Sequence, residues 1–334
     1  MAATATDRTT TMKAIVRDRY GPPDVLTLRE VPRPELTDDR VLIRVHAASV
    51  NRADWYLLNG KPWFARPMMG GLRKPKSGLL GTDFAGTVEA VGKDVTDFRP
   101  GDEVFGGRDG SFAEYVCALP RAIAHKPANV TFEEAAAVPI AGLTALQGVR
   151  THGRVQPGQK VLVNGASGGV GTFAVQIAKA VGADVTAVCS TRNVEMARTL
   201  GADHVIDYSR EDFTRSGRRY DVMLDVAGSK SWSDCKRVLE PHAIVLAIGA
   251  PMGGGPLGPL SHILKLRLAS VSSSQKAVFF VAKFNKEDME ELGRLLESGE
   301  ISPVIERRYE LADTADALRY MGEGHAQAKV VITV

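Results

Sequence analysis

Cysteine is scarce in this chain of 334 residues, and the three present, Cys117, Cys189 and Cys235, stand far apart in segments that read as strand, strand and helix. A disulfide framework is not the organising device, and a reducing cytoplasm is the expected setting. Charge of one sign is not in excess either: 42 lysines and arginines face 39 acids, for a formal net charge of +3. Charges so scattered and balanced leave no basic footprint for a phosphate backbone, so nucleic acid is not an expected partner. No apolar run approaches the roughly 20 residues that cross a bilayer, and no membrane role is expected. The opening MAATATDRTTT has no secretory-type apolar centre and reads as a disordered polar tail over residues 1–11, with a transit peptide as the other reading.

What is present is enough apolar material for more than one core. With 44% hydrophobic and 24% charged residues over this length, two domains are expected. From Met12 to about Val130 the pattern is one of short strands separated by turn residues, as in MKAIVRD, VLTLREV and VLIRVHAASV. At Thr131 the character changes. Thr131 and Glu134 have capping-box spacing, in which hydroxyl and carboxylate satisfy the free amides of a helix start, and Pro139 marks a break soon after.

From Gln159 apolar strands alternate with helices, VLVNG, VGTFAVQIAKAV, VTAVCS, NVEMARTLG and DHVIDY, the cadence of a parallel sheet covered on both faces. The helix of residues 170–181 is apolar nearly all round apart from Gln176 and Lys179, and Gly182 can close it. After about Ser272 the elements are mixed again: a helix through Asp288 to Leu296, a strand near Val304, a helix near Ala315 to Met321 and the terminal strand KVVITV. The fold class is α/β, a mainly β domain joined to a doubly wound parallel sheet.

The strand-to-helix junction carries the clearest chemistry. Gly165, Ala166, Ser167, Gly168, Gly169, Val170 and Gly171 form a side-chain-poor turn between a buried strand and a helix, an A-x-G-x-x-G version of the dinucleotide-binding fingerprint. Gly168 and Gly169 would let backbone approach a pyrophosphate, and Gly171 would permit close packing of helix on strand. About 20 residues on, where an NAD site carries an acid for the ribose 2′-hydroxyl, the strand ends in Ser190-Thr191-Arg192. A hydroxyl and a guanidinium suit a 2′-phosphate, with Tyr208 as a further donor, so NADPH is the expected cofactor and NAD the alternative.

With these residues in place, the chain resembles the medium-chain dehydrogenase/reductase superfamily and in particular its zinc-independent, quinone oxidoreductase-like branch. The likeness runs from Met12 to Val334 and rests on AASVNRAD at 47–54, GTDFAGTVEAVG at 81–92, the RPGDEVFG run ending at Gly106, IAGLTALQG at 140–148, VNGASGGVGTFAVQIAK at 163–179, GADHVIDY at 201–208 and the terminal KVVITV. It implies a GroES-like catalytic domain from residues 1–131 and 273–334, with a Rossmann domain at 132–272 inserted and the active site in the cleft. It also implies that Asn51, Thr144, Ile248, Gly249 and the Phe279, Phe280, Val281 segment lie near the nicotinamide and its ribose, with Lys329 close to the cofactor. Read on their own, Ile248 and Val281 equally suit a core, and Thr144 could bond its own helix.

The departures matter as much. Zinc-dependent relatives carry a Cys and a His where this chain has Asn51 and Thr82; the third ligand, near Ile140 or Ala141, and the four-cysteine lobe are missing. His46, in an apolar strand without a metal-spaced partner, reads as a structural histidine. Without a Lewis acid, a conjugated acceptor is easier to reduce than a plain carbonyl. The expected activity is hydride transfer from NADPH to a quinone or an enone, with Asn51 and Tyr56 as candidate catalytic groups and Tyr56 and Trp63 as candidate contacts to a small apolar or flat conjugated carbonyl substrate. The stretch from Trp55 through Trp63-Phe64 to Met68-Met69 is expected beside the cleft. Arg73, Lys74 and Lys76 form either a solvated charge run or a lid.

Two rivals remain open. Enoyl-thioester or alkenal reduction is the nearer, although Lys61-Pro62-Trp63 stands where the thioester relatives keep a tyrosine; a non-catalytic NADPH-binding sensor is the other. A homodimer through Rossmann-edge pairing is implied by the resemblance.

Overall fold

The computed structural model describes residues 10–61, 63, 66, 71–249, 268–271, 273–324 and 326–334. The chain begins with an antiparallel ribbon of β1 (Thr11–Val16) and β2 (Thr27–Pro32). The expected tail is therefore too long at its inner end, because Thr11 pairs with Pro32 and the Thr10 carbonyl accepts from Arg33 N.

Most of the remaining β-rich half is one sheet, β14-β15-β3-β4-β5-β7, with β6 also on β3. Its strands are β3 (Val41–Val50), β4 (Asp83–Val91), β5 (Glu103–Gly107), β6 (Tyr115–Ala118), β7 (Ile123–His125), β14 (Ile305–Glu310) and β15 (Lys329–Thr333). In β3, Val41, Ile43, Val45 and Ala47 are buried while Arg44 faces out, the alternation of a strand with one covered face. Residues from both ends of the chain thus complete one sheet: β15 pairs antiparallel with β3, Val330 opposite Val50.

The second sheet is parallel throughout, in the order β10-β9-β8-β11-β12-β13. Its members are β8 (Lys160–Asn164), β9 (Asp184–Cys189), β10 (His204–Asp207), β11 (Tyr220–Asp225), β12 (Leu239–Ala247) and β13 (Lys276–Val278). The strand order reverses beside β8, the place where doubly wound sheets open a crevice for ligands.

The helices are α1 (Arg52–Asn59), α2 (Phe132–Ala136), α3 (Pro139–Leu146), α4 (Gly169–Ala180), α5 (Val194–Thr199), α6 (Trp232–Lys236), α7 (Lys286–Glu297) and α8 (Thr314–Gly322). Thr131 caps α2 as expected, with Glu134 N donating to Thr131 Oγ1 at 3.2 Å and Thr131 N to Glu134 Oε2 at 2.8 Å. Helix α4 buries residues Gly171 to Ala178 against the parallel sheet and α3. Phe173 is fully buried there, and a side chain of that kind contributes about 1.5–3 kcal/mol on leaving water.

The expected crossings at 131/132 and 272/273 fall short of these contacts. Helix α2 packs on β3 and β4 of the mixed sheet, and β13 still belongs to the parallel sheet. The return crossing is pinned by Gln147, whose Nε2 donates to Lys283 O at 2.8 Å and whose Oε1 accepts from Lys283 N at 3.1 Å. The three cysteines are free and buried in β6, β9 and α6, the strand, strand and helix expected of them.

Candidate active site

The glycine turn is built almost entirely from backbone. Gly165 N and Ala166 N both donate to Val188 O, tying the turn to the end of β9, and Asn164 Nδ2 donates to Asp225 Oδ1 at 2.7 Å, tying β8 to β11. Gly168 is the N-cap of α4 and no side chain caps that end. The first amides of a helix have no partner within it and carry the positive end of its dipole, so the turn offers donors to an anion.

Two glycines there have close neighbours that leave no room for a Cβ. A Cβ on Gly171 would overlap the Gly165 carbonyl oxygen, so this glycine lets helix and turn close on each other rather than helix on strand. A Cβ on Gly169 would stand 3.1 Å from Lys329 Cδ, so this glycine makes room for the lysine. The crossing is fixed by Ala328 N donating to Ser167 O at 2.7 Å and by a parallel bridge between Gly168 and Ala328.

Ser190 follows β9 directly, and its Oγ accepts from Asn193 Nδ2 at 3.2 Å. Arg192 is exposed two residues on; with its amide oxygen turned toward the guanidinium, Gln327 accepts from Arg192 Nε at 2.7 Å. Tyr208 follows β10 and is 62% exposed. The strand ends thus gather Ser190, Arg192 and Tyr208 on the side of the sheet that carries the glycine turn.

On the other side of Lys329 lies a polar cluster to which the segment 49–54 and Asp83 contribute side chains and Ile140 its backbone N–H. Lys329 Nζ donates to Asn51 Oδ1 at 2.7 Å and stands 3.5 Å from Asp83 Oδ2, with both members of this ion pair buried. Asn51 Nδ2 donates to Asp83 Oδ2 at 2.8 Å; Ser49 Oγ donates to the same oxygen at 3.2 Å, and Ile140 N reaches Asp83 Oδ1 at 3.1 Å. Asn51 caps α1, and its N–H donates to the buried Asp54 Oδ2 at 2.8 Å.

Burial pushes the Asp83 carboxyl up and the Lys329 ammonium down, and their mutual attraction opposes both shifts. Burial likewise pushes Asp54 up to about 7. A buried carboxylate and ammonium are tolerated only with partners of this quality.

Thr144 sits on α3 with its hydroxyl donating to Ile140 O at 2.7 Å, the intrahelical bond that its sequence position allows. Ile248 N and Gly249 N both donate to Asp225 O, which places them at the end of β12 beside the turn. Phe280 stacks on His152 with ring centroids 4.2 Å apart, between exposed Phe279 and Val281. Tyr56 is half-buried on α1, and Trp63 is 61% exposed.

Trp55 corrects the expectation of an aromatic run along the cleft, because its indole packs against Gly322 of α8. Phe64, Met68 and Met69 lie outside the described residues, as does Pro62. Arg73, Lys74 and Lys76 are exposed. His46 has the structural role read for it, its Nε2 2.9 Å from Thr87 Oγ1 and its ring against Phe132.

Asp54 and Asp83 were the residues that motif reading passed over. The available signal was a single acid within each of two segments rich in small and apolar residues, AASVNRAD and GTDFAGTV.

A Rossmann sheet opening an uncapped glycine turn onto the polar floor of a second, GroES-like domain defines a two-domain oxidoreductase. Residues 37–128 match the family model described as the alcohol dehydrogenase GroES-like domain, and residues 200–332 match the one described as zinc-binding dehydrogenase. The chain is 34% identical to the chloroplastic quinone oxidoreductase QR1 of Triphysaria versicolor, over 96% of this chain and 98% of that protein. It is 33% identical to the chloroplastic NADPH-dependent alkenal/one oxidoreductase of Arabidopsis thaliana, over 96% of this chain and 79% of that protein. The solved quinone oxidoreductase of Coxiella burnetii superposes with a TM-score of 0.84 at 33% identity, covering 97% of this chain and 99% of that one.

The chain belongs to the quinone oxidoreductase-like branch of the medium-chain dehydrogenase/reductase superfamily, and it is an enzyme. Among the described residues no three His, Cys, Asp or Glu side chains are grouped to hold a metal ion, and no helix is long and apolar enough to cross a membrane.

Proposed function

We propose that the protein is a zinc-independent, NADPH-dependent reductase of quinones or enones. The observation that carries this reading is the Asn51 side chain, engaged on one side by Lys329 and on the other by Asp83, with Lys329 running against Gly169 of the glycine turn. A zinc ion does not suit this place. The Asn51 oxygen is taken by an ammonium, and the Thr82 hydroxyl is a poor zinc ligand beside the usual thiolate, imidazole and carboxylate donors.

A reduced dinucleotide does suit it. The uncapped start of α4, with the Gly165 to Gly171 backbone, would hold the pyrophosphate, and Ser190, Arg192 and Tyr208 would hold the 2′-phosphate. Asn51, Thr144, Ile248, Gly249, Lys329 and the segment Phe279, Phe280, Val281 would line the nicotinamide side. When bound, NADPH supplies the two electrons and one hydrogen of the reduction. The protein orients a flat conjugated carbonyl compound between Tyr56 and Trp63 and excludes water.

The names of the plant relatives, one acting on quinones and one on alkenals or enones, support both acceptor classes. The position of β13 as the last strand of the parallel sheet among the described residues supports a homodimer, and the free, buried cysteines support a reducing compartment such as the cytoplasm.

The test is steady-state NADPH oxidation with a quinone, an enone, an alkenal and an enoyl-CoA, alongside metal analysis. Turnover of a quinone or enone by metal-free protein is expected. Preference for the thioester, one zinc per chain, or NADPH binding without turnover of any acceptor would overturn the reading.

A further inference from the structure

The buried cluster is unbalanced in charge. Lys329 is committed to Asn51 and Asp83, and Asp83 has its oxygens filled by Asn51, Ser49 and Ile140 N. Asp54, fully buried as well, forms no ion pair among the described residues. Its Oδ2 accepts from Asn51 N, and its Oδ1 stands 3.5 Å from Thr82 Oγ1. Thr82, itself only half-buried, brings a hydroxyl up to the sealed carboxyl group. We propose that Asp54 holds the proton taken up by the reduced substrate and passes it through the Thr82 hydroxyl.

This role rests on the reductase reading. An enone gains two electrons and one hydrogen from the reduced nicotinamide, leaving an enolate that lacks one proton. As the Thr82 O–H bond breaks and the new bond to the enolate forms, the Thr82 oxygen takes the proton of the Asp54 carboxyl. The carboxylate left behind is reprotonated from water. Asp54 acts through Thr82 and is therefore a positioning residue, while Thr82 touches the substrate.

The surroundings suit a proton that is held but can be released. Asp83 on β4 and Asp109 after β5 disfavour a charge on Asp54, whereas Lys329 on β15 and Arg17 after β1 favour it. Burial outweighs the Asn51 N–H bond and the nearby cations, and the carboxyl is pushed up to about 7, within reach of neutral solution in both directions. The same carboxyl completes the α1 capping box, which holds it in place whatever its protonation state.

Asp54→Asn separates the two roles, because the amide oxygen can still accept from Asn51 N while no acidic proton remains. Infrared titration of the cofactor-free protein is expected to show a protonated-carboxyl band lost near pH 7 and absent from the Asp54→Asn protein. With NADPH and an enone, wild-type kcat is expected to fall above that pH. Asp54→Asn should lower kcat roughly a hundredfold at pH 6 and abolish the pH limb, with KM for NADPH unchanged.

Thr82→Val should lower kcat by the same factor and keep the infrared band. A band that survives in Asp54→Asn, an intact pH limb in that variant, or full activity in Thr82→Val would overturn the proposal. Failure of the wild-type protein to reduce any acceptor would count against the reductase reading instead, and the infrared titration would still decide whether Asp54 carries the proton.

Discussion

The two walls that meet at Lys329 are made by opposite means. On the Rossmann side, a continuous run from Gly165 to Gly171 offers backbone amides and almost no side chain. On the GroES-like side, Ser49, Asp83 and Lys329 from three strands join Asn51 and Asp54 at the start of α1 to build a buried polar network. A backbone site is written in consecutive residues and tolerates variation in everything but the size of its side chains. A side-chain network depends on pairing among remote segments and fails as a unit.

The largest effect is expected where the network is broken from one side only. Lys329→Met leaves the Asp83 carboxylate buried without its cation and should cost about 3–5 kcal/mol in urea unfolding, while Lys329→Met combined with Asp83→Asn should recover a substantial part. Strict additivity of the two changes would break the claim that this wall acts as a unit.

The second effect comes from pH. Asp54 has a folded-state pKa of about 7 against about 3.9 for a free aspartate, so the stability gained by keeping it protonated is full below about pH 4 and lost as pH rises through 7. Asp54→Asn carries no such loss. Its stability relative to wild type should increase between pH 4 and pH 8 by an amount on the order of 4 kcal/mol, measured by urea unfolding across that range. A pH-independent difference would remove Asp54 from the network.

The Rossmann side should respond differently. Arg192→Ala should leave unfolding nearly unchanged and weaken NADPH binding by about 1.5–3 kcal/mol, roughly 10- to 150-fold, with NADH binding unaffected in calorimetric titration. Equal loss for both dinucleotides would show that Arg192 does not select the phosphate. The smallest effect is a control away from both walls. Thr131→Ala removes the cap of α2 and should lower stability by about 1 kcal/mol with kcat and KM unchanged.

The same contrast explains how much the sequence disclosed. The glycine turn, the apolar helix after it and the capping box at Thr131 are local patterns, and each is present in the fold. The buried network was legible only in fragments. Asn51 and Lys329 could be named from the family likeness, but they meet across 278 positions, and Asp83 meets Lys329 across 246.

Nothing in the spacing of residues around Asp83 shows that an ammonium from the last strand will neutralise it. Trp55 was misplaced for a related reason: an aromatic near a cleft segment can turn either way, and only the absence of a side chain on Gly322 draws it under α8. The crossings between domains were set too early because a short strand such as Lys276–Val278 carries little pattern of its own.

The position of Lys329 on the final strand has a consequence for biosynthesis. Among the described residues, all six strands of the parallel sheet precede residue 279, so they are synthesised before β14 and β15. The buried network around Asp83 cannot close until β15 enters between β3 and β14, a late strand joining an early one. A nascent chain therefore completes the backbone turn before the side-chain network that meets it, and a product truncated before Lys329 lacks that network.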